Sequence, residues 1–204
     1  MNDGLQSDPT AVPPRKRVPA RACSCFVALA LLLVALPVSA YEQAYAGTSP
    51  GTIEVKTVPA TLALQAEGTG RYFDTNGSLF RRLFSYIGSR EVKMTVPIEA
   101  DVIDANRMRF FVGSQDVGRP LPSADGVTVV PVPEKQVVAI GLRGSYSAER
   151  FDEGRKALET WLAAHPEWKA TGPPRAVYWN GPFVPFFMKR SEVQVTVTSR
   201  TSPK

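Results

Sequence analysis

Two stretches decide the fold: VPATLALQAEG at residues 58–68 and VPEKQVVAIGLRG at residues 132–144. Each opens on Val-Pro, passes through an apolar run holding Ala63-Leu64 or Ala139-Ile140, and stops at a glycine, Gly68 or Gly144. A proline inside a β pattern marks a strand boundary, and a glycine marks an end or a bulge. The second stretch carries two extra residues between its Val-Pro and its Gly, yet the order of signals is the same. The chain therefore states one structural unit twice.

Working outward from the first copy, Ile53, Val55 and Thr57 alternate with Glu54 and Lys56, which predicts a strand before Pro59. A helix is predicted over 78–88, capped by Asn76 and stopped by Gly88, with Leu79, Phe80, Leu83, Phe84 and Ile87 on one face. Strands over 93–99 and 107–113 complete this copy. In the second copy the strands are predicted at 127–132 and 136–142, followed by a helix over 147–164 with Phe151, Leu158, Trp161 and Leu162 on one face. Strands at 175–179 and 192–197 close it. Each copy is strand–strand–helix–strand–strand, over about 52–113 and 127–198. Alone, either would leave a sheet face and a helix stripe uncovered. Together they predict an α+β unit, a curved antiparallel sheet or distorted barrel with two helices and a cleft between the halves.

Before the repeats, residues 41–51 (YEQAYAGTSPG) suggest a flexible lead-in, and residues 1–40 have the order of a signal peptide. Arg15 to Arg21 supplies positive charge, an apolar run follows over 26–36, and Val38 and Ala40 hold the −3 and −1 positions of a small-residue cleavage site. Eleven apolar residues fall short of the ~20 that span a bilayer, so an uncleaved membrane anchor is the weaker alternative. The expected location is the periplasm or the exterior. Cys23 and Cys25, the chain's two cysteines, both lie in this segment. The remainder is left without disulfides, thiolate metal sites or a cysteine nucleophile. Of the formal net charge of +5, residues 1–40 contribute four basic and two acidic side chains, leaving +3 for the rest. That balance does not point to nucleic acid.

The segment 178–190 is the unusual one. Tyr178, Trp179, Phe183, Phe186 and Phe187 crowd together with Pro182 and Pro185, and Lys189 and Arg190 follow. Such a loop either folds back on the body or covers a flat apolar ligand, with the two bases placed to meet carboxylates. His165, the one histidine, directly precedes Pro166 at a helix end, where a histidine faces the last carbonyls. Its use as a metal ligand is the lesser reading, with Tyr178 and Met188 as alternatives. No Ser–His–acid arrangement, G-x-S-x-G or metal-ligand spacing is present to point to catalysis.

Four segments carry a resemblance to a known family: LFRRLFSYIG (79–88), VKMTVPI (92–98), MRFFV (108–112) and NGPFVPFFMKRSEV (180–193). In this order and across 53–197 they resemble the SOUL haem-binding proteins. The resemblance implies a distorted barrel of two repeats and a tetrapyrrole ligand, haem in particular, lying against the first helix. The residues it points to are Leu79, Phe80, Arg82, Leu83, Phe84 and Ile87 on that helix, with Arg81 or Arg82 for a propionate. From the late loop it adds Tyr178, Phe183, Phe186, Phe187, Lys189 and Arg190. It implies a carrier or buffer of a small tetrapyrrole. An interaction module of the same fold and an enzyme acting on a tetrapyrrole remain as alternatives.

Overall fold

Alternation along the strands gives one face to two helices and the other to the chain's own beginning. The computed structural model describes residues 41–181 and 183–200; the leader expected over 1–40 and the loop's Pro182 lie outside the described residues. The strands are β1 (Glu42–Gln43), β2 (Ile53–Val58), β3 (Thr61–Glu67), β4 (Thr95–Val96), β5 (Ile98–Asp101) and β6 (Arg107–Phe111) in the first half. In the second they are β7 (Val127–Val132), β8 (Lys135–Arg143), β9 (Trp168–Ala170), β10 (Arg175–Tyr178) and β11 (Arg190–Ser199). The helices are α1 (Tyr72–Ser89) and α2 (Ala148–Ala164).

The main sheet runs β2-β8-β11-β10-β5-β6-β3-β7, with β9 on β11, and is an open curved sheet with β2 and β7 as its edges. Exchanging the repeats (β2 for β7, β3 for β8, β5 for β10, β6 for β11) returns the same order reversed. The pseudo-twofold axis therefore passes between β5 and β10, which pair antiparallel through Ile98–Tyr178 and Ala100–Ala176. The first strand of each copy pairs with the second strand of the other: β2 with β8, and β7 with β3. The two extra residues of the second copy lengthen β8 to nine residues against seven in β3. An even excess leaves every side chain on its face, whereas one residue more would invert them.

The helix-side core joins Leu64, Ile98, Met108, Phe110, Val138, Ile140, Tyr178, Val193 and Val195 to Leu79, Leu83 and Ile87 of α1 and Phe151 and Leu158 of α2. α2 begins at Ser147, whose side chain accepts the Arg150 N–H, as expected. α1 begins six residues earlier than the 78–88 pattern and Asn76 lies inside it, not at its cap. Tyr72 explains this, since it is buried in the same core and fixes an extra turn on the sheet. The strand expected at 93–99 divides into β4 and β5 at the cis Val96–Pro97 bond.

The expected lead-in is corrected. Residues 41–50 are a plug laid along the second face of the sheet. Glu42–Gln43 pairs in parallel with β4, and the Ala44 N–H donates to the Val96 carbonyl at 2.8 Å. Tyr45 contacts three small apolar clusters, around Val58 and Val137, Ala63 and Phe111, and Val177 and Trp179. Beyond it the Thr48 N–H donates to the fully buried Glu192 carboxylate at 2.6 Å. Glycine permits the closest approach: a Cβ on Gly141 would stand 2.3 Å from the Ser49 carbonyl oxygen.

Candidate functional site

At the pseudo-twofold axis, on the helix side, a cavity of about 270 Å³ opens between α1 and the segment before α2. Its lining comes from parts of the chain far apart in sequence. Helical spacing brings Tyr72, Asn76 and Phe80 of α1 to one stripe, four residues apart. Ile98 of β5, Met108 of β6 and Tyr178 of β10 form the floor, and Tyr146, Asn180 and Lys189 form the rim. The rings contact one another: Tyr146 lies 4.4 Å from Tyr178, and Tyr72 stacks on Tyr178 at 6.5 Å. Phe80 is stacked on Phe84 at 5.7 Å, and Phe84 is 53% exposed.

Tyr146 ties down the loop that follows β10. Its hydroxyl accepts the Asn180 N–H at 3.0 Å and donates to the Arg190 carbonyl at 3.0 Å. The Arg190 N–H returns to Asn180 Oδ1 at 2.6 Å, and the Trp179 N–H donates to the Arg190 carbonyl. Burial pushes the Tyr146 hydroxyl up to about 12. The neck is thus closed while the tip projects. Phe183, Phe186, Phe187 and Met188 are 95, 67, 59 and 54% exposed, the last three on a 3-10 turn. The loop does not fold back on the body. The Lys189 ammonium sits over the Tyr146 ring, 5.0 Å from its centroid.

Of the residues expected from sequence, Phe80, Tyr178 and Lys189 meet at the cavity. Leu79, Leu83 and Ile87 are buried in the core beneath it, and Phe84 continues the aromatic surface outside. Arg82 lies two residues, about 200° of helix rotation, from Phe80. It donates instead to the Glu67 carbonyl at 2.8 Å. Arg81 is exposed. Arg190 heads β11, where the odd-numbered residues face the helices, so alternation turns it to the plug side. His165 caps α2, with Nδ1 at 2.7 Å from the Trp161 carbonyl and its ring stacked on Trp161, and it does not line the cavity. The Tyr178 hydroxyl does belong to the cavity, and it is buried without a hydrogen-bond partner. Burial raises its pKa, which keeps it a neutral phenol. Tyr72, Tyr146 and Met108 were not anticipated. The spacing Tyr72–Asn76–Phe80 is the one signal in the chain that could have found the first.

The sequence model of the SOUL heme-binding protein family matches residues 40–196. The chain belongs to the SOUL haem-binding family. No curated protein sequence matches this SOUL chain. Among solved structures it is similar to EcmrR in a DNA complex, with a TM-score of 0.57 and 14% identity over 72% of this chain. The chain spans 57% of that protein. It is similar to the isolated C-terminal domain of EcmrR, with a TM-score of 0.53 and 16% identity over 72% of this chain and 98% of that one. A hydrolase from Listeria innocua gives a TM-score of 0.49 at 13% identity, over 74% and 94%. The likeness to EcmrR, at 14% and 16% identity, is one of fold: an α+β unit with a curved, mostly antiparallel sheet.

Proposed function

We propose that this SOUL protein is an exported, non-catalytic carrier that binds haem or a related tetrapyrrole at the aromatic cavity. One observation supports it above the others: an aromatic cavity of about 270 Å³ adjoins a loop that holds three phenylalanines in solvent. Pockets that enclose drug-sized ligands run to about 300–1,000 Å³, so a cavity of this size takes an edge and not a whole macrocycle. Phe84 and the loop rings supply apolar surface for the remainder. Lys189 is the cation placed for a carboxylate at the rim, and the Tyr178 phenol is the unpartnered polar atom inside. Haem, when bound, supplies the iron chemistry; the chain's own residues bind, orient and exclude water.

Hemin added to protein spanning residues 41–204 should give a saturable Soret change at micromolar concentration. Absorbance that rises without saturating would sink the carrier reading. The exposed rings also suit a docking module that binds protein and no tetrapyrrole. In that case Phe186→Ala with Phe187→Ala abolishes partner capture and leaves no hemin effect to lose. Release of metal-free porphyrin from added haem would favour an enzyme. Export is tested by expressing the full chain and sequencing the periplasmic product, which should begin near Tyr41.

A further inference from the structure

The plug covers only part of the second face of the sheet. Under it, Glu192 is fully buried and balanced: Lys56 pairs with it at 2.9 Å, and its other bonds come from Thr48 N–H, Trp179 Nε1 and Gln194 Nε2. Beyond the plug the same face opens into a cavity of about 460 Å³, walled by Val130, Pro131, Val132, Pro133 and Pro173. Here the charges do not balance. Alternation sets Glu99 and Asp101 of β5, Arg107 and Arg109 of β6, Lys135 of β8 and Arg175 of β10 on this face. Three cations close on one fully buried carboxylate, Glu99: Arg109 at 2.8 Å, Lys135 at 2.8 Å and Arg175 at 3.5 Å. Each carboxylate can be matched once. Glu67 takes Arg107 at 2.8 Å, Asp101 takes Arg109 at 3.1 Å, and Glu99 takes Lys135.

Arg175 is then left over. Its side chain is 11% exposed, its contact with Glu99 is the longest of the three, and its other guanidinium nitrogen donates to the neutral Thr196 hydroxyl. The remaining carboxylate at the mouth, Asp104, is exposed and pairs with none of these cations. Lys135 gives one of its three N–H donors to Glu99. A buried cation that shares its one carboxylate with two others is only partly compensated for the water it has lost.

We infer that this cavity is a second binding site, on the opposite face of the sheet from the aromatic one, for a small oxyanion held by Arg175 and Lys135. The planar guanidinium fork matches a carboxylate or a phosphate equally, and the ammonium adds a point charge beside it.

Calorimetric titration of residues 41–204 with inorganic phosphate and, separately, with succinate at constant ionic strength tests this and distinguishes the two chemistries. One of them should bind saturably, one to one, and raise the melting temperature. Arg175→Met removes the surplus charge at similar volume, so it should abolish anion binding. Because Arg175 also helps to hold Glu99 ionised, the anion-free protein should lose some melting temperature, but less than Lys135→Gln costs it. Lys135→Gln should weaken binding about tenfold, the loss of one charge-assisted bond. Hemin titration of Arg175→Met should be unchanged, which separates this site from the aromatic one. The inference is overturned if neither anion gives saturable heat. It is equally overturned if Arg175→Met retains binding, or if it lowers the melting temperature of the anion-free protein by as much as Lys135→Gln or more.

Discussion

Tyr146 holds both ends of the aromatic loop through one hydroxyl, so a single atom is a clean probe of that loop. In Tyr146→Phe the Asn180 N–H loses its acceptor, at a cost of about 1–3 kcal/mol. The expected result is a modest fall in the urea midpoint with a larger fall in hemin affinity. Glu99 gives a pH prediction. Burial alone would raise its pKa, but Lys135, Arg175 and Arg109 outweigh burial and bring it from 4.5 to about 2. A folded value below the unfolded one stabilises the protein above the unfolded pKa, and that stability is lost as pH falls through the folded one. Stability should therefore decline between about pH 4.5 and pH 2, and Glu99→Gln should flatten that part of the acid unfolding curve. At this scale the sequence was partly readable. Phe80, Tyr178 and Lys189 stand in conspicuous local patterns. Tyr146 and Met108 do not, because only the pairing of β5 with β10 brings their surroundings together. Arg190 was placed at the ligand by its neighbourhood to Lys189, whereas strand alternation separates adjacent residues onto opposite faces.

Among the elements, the plug departs most from expectation. Its composition of small and polar residues resembles a linker, and nothing local shows that Tyr45 bridges strands from both halves. Tyr45→Ala should cost about 3–5 kcal/mol, comparable to other large aromatic truncations in cores. Gly141→Ala should displace the plug, since the added carbon meets the Ser49 backbone. Both are checked by denaturant unfolding. The aromatic loop should behave in the opposite way. Its rings contact little of the body, so Phe186→Ser with Phe187→Ser should change stability by no more than about 0.5 kcal/mol per site. Hemin affinity should nevertheless fall, and affinity unchanged by the double substitution would remove the loop from the binding site. The helices and most strands were legible because their periodicity is strong. α1 began early because a buried tyrosine, not an Asn cap, sets its first turn.

For the molecule as a whole, the repeat predicts the symmetry but not the exchange of strands between halves. Each half alone lacks a neighbour for one strand, so fragments 41–117 and 118–204 should each lack cooperative unfolding when separate. Mixed together, they should recover it, as followed by circular dichroism. The repeat was visible because both copies keep Val-Pro, the apolar run and Gly; the exchange was invisible because antiparallel strands of similar composition do not state their partners. That exchange also sets a timetable. Ile53 pairs with Ile140, so the first strand of the main sheet cannot dock until the chain has been made nearly to its last third. Loop closure over such a span is slow compared with local pairing. A polypeptide built this way stays open while it is being synthesised, and its first main-sheet strand locks only once about two-thirds of it has been made.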